Sequence, residues 1–126
     1  MIRIYVKKQS NFPVDAPKLK KKLRNFLTKK GIVSETILFV SLVGEDKIRD
    51  LGWRYLKDTN IHNVLTFSEA DVEKFVYPDT VIRLGEIVVC YPKAFEEAKK
   101  EGRLIEEKVY ELAEHGVKHL LGEEHN

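Results

Sequence analysis

The sequence predicts a single domain spanning residues 1–126, of the α+β class with an α/β-like order, in which helices cover a mixed sheet of about four strands. Three observations support this fold class. Apolar residues alternate with polar ones in some short segments and recur at helical spacing in others. The two kinds of segment follow one another in the order β-α-β-α-β-β-α-α. The length suits one hydrophobic core, and no repeat, low-complexity tract or linker divides the chain.

A strand followed by a helix is predicted at the start of the chain. The strand is indicated by three apolar residues that alternate with polar ones: Ile2, Ile4 and Val6. Asp15 is the expected helix N-cap ahead of Pro17, and Gly31 is placed to end the helix. Between these positions, four apolar residues recur at helical spacing: Leu19, Leu23, Phe26 and Leu27.

The middle of the chain is predicted to contain three strands and one helix. Residues 36–43 are apolar on both faces, which is typical of an interior strand. A helix follows, and a polar loop leads from it to a short strand at residues 63–67. Residues 68–80 are predicted to form a long loop. Residues 81–91 form the last predicted strand, in which Gly85 indicates a bulge or the close approach of another backbone.

Two helices are predicted at the end of the chain, a short one from Pro92 to Gly102 and a longer one from about Leu104 to Leu121. Apolar residues of the longer helix lie on one stripe, as expected for a helix that packs on a sheet.

Composition and cysteine content point to a cytoplasmic protein. The apolar fraction of 43% and the charged fraction of 33% are ordinary for a soluble globular chain. No apolar run approaches the roughly 20 residues of a membrane span, and the first residues lack the layout of a signal peptide. Cys90 is the only cysteine and is expected to be a small buried hydrophobe. Any metal must therefore be bound by nitrogen and oxygen ligands, and no membrane partner is expected.

Basic residues are concentrated near the amino terminus. Residues 1–30 contain ten Lys or Arg and one acid, whereas residues 31–126 contain twelve Lys or Arg and nineteen acids. Seven of the basic residues lie in or beside the first predicted helix: Lys18, Lys20, Lys21, Lys22, Arg24, Lys29 and Lys30. Clustered charge of this kind suits a phosphate backbone, and a solvated helix face is the alternative interpretation.

Three of the four histidines lie close together, at His115, His119 and His125. His115 and His119 are four residues apart on a helix, so their side chains project from one face, as in helical zinc sites. His125 reaches the other two only if the helix ends first. Gly122 is placed to allow this, because glycine accepts the left-handed conformation that ends helices. The sequence therefore predicts a zinc-type metal site at the end of the last long helix.

The chemistry expected of this site is hydrolytic. Three imidazoles leave a fourth position for a water whose pKa the ion lowers to about 7. Glu123 and Glu124 are candidate oxygen ligands or partners of a histidine N–H, and exposed surface charges are the alternative. Helical zinc peptidases carry a glutamate base directly after the first histidine, where this chain has Gly116, so a peptidase is disfavoured. Glu114 points about 100° away from His115 on the helix and is a poor substitute.

The string H-G-x-x-H-L-x-G-x-x-H, from His115 to His125, resembles the motif of the YbeY family. The segments from Leu51 to Phe67 and from Leu84 to Cys90 are similar to two further stretches of that family. The resemblance implies a zinc-dependent, single-strand-specific endoribonuclease that acts in 16S rRNA 3′-end maturation and ribosome quality control. It also implies that the three histidines bind one Zn²⁺ ion and that the partners are single-stranded RNA or rRNA and the ribosome or its small subunit. DNA is not an expected partner.

The chain differs from the family after Tyr55, where an arginine is usual and Leu56 is present here. Arg54 and Lys57 are therefore candidate substrate-binding residues, together with Lys118, which lies between two predicted ligands. No general acid or base is assigned. Two alternatives stay open: a weakened, ribosome-associated RNA-binding module with a structural metal, and a metal hydrolase that acts on another substrate.

Three further side chains have both a structural and a functional interpretation. Trp53 and Tyr55 could stack on bases, but their positions among apolar helix residues favour packing. His62 could approach the metal, although a polar loop residue is the preferred interpretation.

Overall fold

The structure, a computed structural model, describes residues 1–68 and 81–123 and contains the predicted elements in the predicted order. The strands are β1 (Ile2–Lys8), β2 (Glu35–Val43), β3 (Val64–Ser68) and β4 (Val81–Cys90). The helices are α1 (Ala16–Lys29), α2 (Glu45–Leu56), α3 (Tyr91–Glu101) and α4 (Ile105–Leu120). Beyond Ser68, the loop predicted at residues 68–80 lies outside the described residues.

The four strands form one mixed sheet in the order β1-β2-β4-β3. β2 pairs in parallel with both β1 and β4, and β3 pairs antiparallel with β4. The prediction of an α+β domain with a mixed four-stranded sheet is therefore confirmed. β2 is an interior strand, as expected, whereas β3 lies at an edge of the sheet. None of the helices described here combines the length and apolar character needed to cross a membrane.

Three local predictions are confirmed by the backbone. The Asp15 carboxylate accepts a hydrogen bond from the Lys18 N–H at 3.0 Å and caps α1. Gly31 follows the end of that helix with φ of +91°. At Gly85, φ is +130°, the register of β2 against β4 shifts by one residue, and a Cβ atom would collide with the Phe67 carbonyl oxygen. Gly85 thus lies at a β-bulge and at a point where the backbones of β3 and β4 approach each other closely.

The two faces of the sheet are covered unequally. Three helices, α1, α3 and α4, bury the larger core on one face, which includes Leu23, Leu38 and Val109. On the other face, α2 packs Ile48 on the β3 and β4 part of the sheet. The rest of that face is open, since Tyr5 is 47% and Phe39 42% exposed. The apolar residues predicted on both faces of β2 are therefore not all buried, because one helix is too narrow to cover four strands.

A cluster of charges joins α3 to α4. The Lys108 ammonium, with a side chain only 8% exposed, lies 3.4 Å from Glu97, 3.0 Å from Glu101 and 3.2 Å from Glu111. Arg103 adds ion pairs to Glu111 at 2.6 Å and to Glu101 at 3.2 Å. The hydrogen bond from Lys108 lowers the pKa of Glu101, and the hydrogen bond from Arg103 lowers the pKa of Glu111.

The cluster predicts a specific acid sensitivity. Folding lowers the pKa values of Glu101 and Glu111 below their ordinary value of about 4.5. Their contribution to stability is therefore present above about pH 4.5, and it is lost as the pH falls through the lowered pKa values of the folded state. We expect Lys108→Met to lower the melting temperature at pH 7 by roughly 5 °C and to reduce the further loss on acidification to about pH 3.5.

Thermal melts at the two pH values test this, with Lys100→Met as the control. Lys100 pairs with Glu96 at 3.4 Å on the surface and is highly exposed, so its replacement should change the melting temperature little at either pH. An equal loss on acidification in the wild type and in Lys108→Met would contradict the prediction.

Candidate functional site

The position of α4 on the sheet is determined by a close contact at Gly116. A Cβ atom on Gly116 would lie 2.8 Å from Ile87 Cγ2 and 3.1 Å from Thr66 Cγ2. These neighbours belong to β4 and β3, so the backbone of α4 lies directly on the sheet there. Val117, the next residue, is fully buried. The contact brings His115 to the edge of the sheet formed by β3.

His115 and His119 meet at the predicted spacing. Their Nε2 atoms are 3.2 Å apart, their ring centroids are 4.7 Å apart, and the rings are nearly perpendicular. Two ligands of a tetrahedral zinc ion, each about 2.0–2.1 Å from the metal, are separated by about 3.3 Å. The two nitrogens therefore fit adjacent ligand positions of such an ion. His125, the third predicted ligand, and Glu124 lie outside the described residues.

The helix that carries these histidines ends where the sequence predicts. The Gly122 N–H donates to the His119 carbonyl at 3.0 Å, and the Glu123 N–H donates to the Lys118 carbonyl at 2.9 Å. Gly122 has φ of +79°. This is the hydrogen-bond pattern of a Schellman motif. The Glu123 carboxylate lies 3.0 Å from the Lys30 ammonium, so it holds the end of α4 against the end of α1.

A groove of about 590 Å³ opens beside the two histidines. We call it the histidine groove. One wall is formed by Asn63 and the first four residues of β3, and the opposite wall is the face of α4 that carries Leu112 and His115. Leu56, at the end of α2, also lines the groove and is 52% exposed. Leu56, which stands where the resemblance implies an arginine, therefore lies in the same groove as the histidine pair.

Glu111 lies one helical turn before His115 and also lines the histidine groove. Both of its oxygens are engaged, one by Arg103 and one by Lys108, and its pKa is lowered chiefly by the hydrogen bond from Arg103. Within residues 1–68 and 81–123, no group of three or more His, Cys, Asp or Glu side chains is arranged to hold a metal. The described part of the chain thus provides two of the three predicted ligands.

The candidate substrate-binding cations are not gathered around the histidine pair. Arg54 pairs with Asp50 at 2.8 Å and lines a second groove on the other side of α2. Lys57 places its ammonium 5.8 Å from the centre of the Trp53 ring. Lys118 points toward α1, because its ammonium lies 6.0 Å from the centre of the Phe26 ring, and it also lies 3.8 Å from Glu114.

The other side chains singled out in the sequence make contacts within the fold. The Tyr55 ring packs on Phe67, with centroids 5.0 Å apart, although about half of its surface stays exposed, as does that of Trp53. The expected packing is therefore incomplete for both. His62 Nε2 lies 3.0 Å from the Asp58 carboxylate, which orders the loop before β3. Cys90 is fully buried, as predicted, and burial raises the pKa of its thiol.

The sequence does not predict that β3 forms a wall of the site. The feature that indicates a neighbouring surface is the glycine between the two helical histidines, because Gly116 permits the close contact with Thr66 and Ile87. A glycine at that position indicates a neighbouring surface, although it does not say which strand provides that surface.

An α+β domain with two converging imidazoles in a groove at the edge of its sheet has a site of the kind expected in a small hydrolase. The sequence matches the profile of the family described as Endoribonuclease YbeY over residues 4–126. The chain belongs to the endoribonuclease YbeY family, and it is therefore an enzyme that hydrolyses RNA phosphodiester bonds.

Individual relatives agree with this assignment. An endoribonuclease YbeY of Macrococcus caseolyticus is 30% identical over 119 residues, covering 91% of this chain and 77% of the relative. That of Dehalococcoides mccartyi is 29% identical over 134 residues, covering 99% of this chain and 78% of the relative. The solution structure of a Thermotoga maritima protein is 29% identical and superimposes with a TM-score of 0.59, covering 100% of this chain and 75% of that one.

The contact at Gly116 predicts the outcome of two glycine substitutions. Gly116→Ala should lower the free energy of unfolding by about 1–3 kcal/mol, because the new methyl group enters occupied space. Gly52→Ala, in the interior of α2, is the control. Its Cβ would lie 3.4 Å from His62 Cδ2, so the gain in helix propensity should leave stability unchanged or raise it by up to about 1 kcal/mol. Urea unfolding of both variants checks this, and equal stabilities would be incompatible with the proposed contact.

Proposed function

We propose that the chain is a zinc-dependent endoribonuclease specific for single-stranded RNA, acting in 16S rRNA 3′-end maturation and ribosome quality control in the cytoplasm. The observation that carries the proposal is the 3.2 Å separation of the His115 and His119 Nε2 atoms in the histidine groove. The name shared by the relatives, endoribonuclease YbeY, supports RNA as the substrate.

His115 and His119, with His125 as the third ligand, would hold the ion. A zinc ion in such a site activates water and polarises a phosphoryl oxygen. The protein's own contribution is to fix the two imidazoles on α4 and to shape the groove. Gly116 seats the helix on the sheet, and the walls formed by Asn63–Phe67 and Leu112 limit how a substrate can approach.

Helix α1 would bind the RNA backbone away from the reacting bond. Most of its cations are exposed: Lys18, Lys21, Arg24 and Lys29. Lys22 and Lys30 are partly engaged, since the Lys22 ammonium lies 5.1 Å from the Tyr110 ring centre and Lys30 pairs with Glu123. Exposed cations on one helix attract phosphates without reading sequence, which suits an initial capture of single strands.

Leu56 favours a second candidate function. The side chain at the family arginine position lies in the histidine groove and carries no charge. A cation there would help to stabilise charge on a phosphoryl group. With leucine instead, a ribosome-associated RNA-binding module that keeps a structural metal is the alternative.

Substitution of one ligand separates the two candidates. If cleavage depends on the proposed zinc ion, His119→Ala should reduce zinc content and abolish cleavage of a single-stranded RNA while circular dichroism stays native. His62→Gln is the matched control, because His62 contacts Asp58 and is not part of the histidine groove, so it should retain both zinc and cleavage. A zinc-loaded wild type that leaves the RNA intact, but melts at lower temperature once the zinc is removed, would instead identify the binding module.

Restoring a cation should increase activity. Leu56→Arg places a guanidinium in the histidine groove, where it can bind a phosphate with two hydrogen bonds, and we expect kcat/KM for single-stranded RNA to rise about tenfold. Val33→Arg adds the same charge at a highly exposed apolar position outside the groove and should leave kcat/KM nearly unchanged. Equal increases in the two variants would mean that net charge alone, and not position, is responsible.

A further inference from the structure

The open part of the sheet carries an aromatic platform, which we define as Tyr5 on β1 and Phe39 on β2. The two residues are direct partners in the parallel register, and their rings stack with centroids 5.3 Å apart and planes inclined by 23°. Both rings are about half-exposed. Side chains of this size are usually buried. Aromatic rings on adjacent strands of an open sheet face are the arrangement on which single-stranded nucleic acids stack their bases.

A groove of about 580 Å³ adjoins the platform, and we call it the sheet groove. It begins with Lys7 and Ser41, which lie two residues beyond Tyr5 and Phe39 on the same face of their strands. Four cations line it: Lys7, Lys8, Lys47 and Arg54. Arg54 is paired with Asp50, whereas no salt bridge between described residues involves the three lysines. The sheet groove therefore has the charge that a phosphate backbone requires.

The sheet groove and the histidine groove are neighbours on either side of the end of α2. Phe67 lines both of them, and Tyr55, which packs on Phe67, lines the sheet groove beside it. The half-exposed Tyr55 ring thus lies near the boundary between the two grooves. An RNA strand that continued from the sheet groove past the end of α2 would therefore meet the Tyr55 ring before the histidine pair.

We propose that the open sheet face is a binding track for single-stranded RNA, separate from the basic face of α1, that leads the substrate into the histidine groove. Bases stack on Tyr5 and Phe39, and phosphates contact Lys7, Lys8 and Lys47. This inference rests on the proposed function. Exposed rings beside cations favour RNA over an apolar protein segment, because an apolar segment would leave the lysines of the groove without counter-charges.

Glu86 is the only acid among the described residues that line the sheet groove. Its carboxylate accepts a hydrogen bond from the Ser41 hydroxyl at 2.6 Å, which holds it beside Phe39, its partner in the β2–β4 register. A carboxylate repels phosphates but accepts hydrogen bonds from base N–H groups, which include the N3–H of uracil. Glu86 is thus placed to contact a base that is stacked on the platform, with the phosphates on the lysine side.

The test measures binding of an oligouridylate about 12 nucleotides long, a length within the range of single-strand binding sites. A chelator prevents cleavage, and affinity is followed by fluorescence anisotropy against salt. Tyr5→Val with Phe39→Val replaces the rings with β-branched side chains, which suit a strand. Lys7→Gln with Lys47→Gln removes two cations. Lys99→Gln with Lys100→Gln, on the exposed end of α3, removes the same charge outside both grooves.

We expect the aromatic variant to bind at least about fivefold more weakly with an unchanged salt slope. The Lys7 and Lys47 variant should lower the slope of log K against log salt by about 1.4. The Lys99 and Lys100 variant should match the wild type. If both sheet variants match a wild type that binds and cleaves RNA, while Lys20→Gln with Lys21→Gln on α1 reduces the slope, the track is refuted and the proposed function stands. A wild type that neither binds nor cleaves RNA refutes the proposed function itself.

Crosslinking of the wild type keeps the test independent of how the variants fold. Irradiation of the protein with an oligonucleotide that contains 4-thiouridine should label peptides from residues 2–8 and 35–43. Labels confined to α1 and α4 would overturn the track.

Discussion

The contact between the Gly116 backbone and the side chains of Thr66 and Ile87 is the constraint on which the site depends. It seats α4 directly on β3 and β4 and so brings His115 and His119 to the edge of the sheet. A helix held farther out by a Cβ atom would carry the same pair of imidazoles away from the wall formed by β3. The geometry of the histidine groove thus follows from the absence of a single methyl group.

Much of the fold could be predicted from the sequence because its signals are local. Asp15 caps α1, Gly122 ends α4, and Gly85 forms the bulge in β4. Each of these residues acts through its own backbone conformation or through a hydrogen bond to a neighbour along the chain. The spacing of His115 and His119 is equally local, since one turn of helix determines it. The first two predicted ligands therefore meet as expected.

The features that the sequence does not predict depend on contacts between segments far apart in the chain. The spacing of apolar residues along one segment does not encode such contacts. Nothing in residues 63–67 shows that β3 lies at the edge of the sheet, or that it faces α4. Arg54 and Leu56 are two residues apart, yet they line different grooves, because the end of α2 separates the two. The exposure of Phe39 could not be predicted either, since β2 is apolar on both faces. Only the packing of α2 determines which part of the sheet face is covered.

The same contact at Gly116 determines whether a glutamate base could follow the first histidine. A helical zinc peptidase needs a glutamate directly after its first histidine, and the space for any side chain at this position is occupied by Ile87 and Thr66. A glutamate there could not be accommodated without moving α4 and the histidine pair with it. The peptidase arrangement and the close approach of α4 to the sheet are therefore mutually exclusive in this fold, so the packing of the helix, and not only its sequence, excludes a glutamate base at this position.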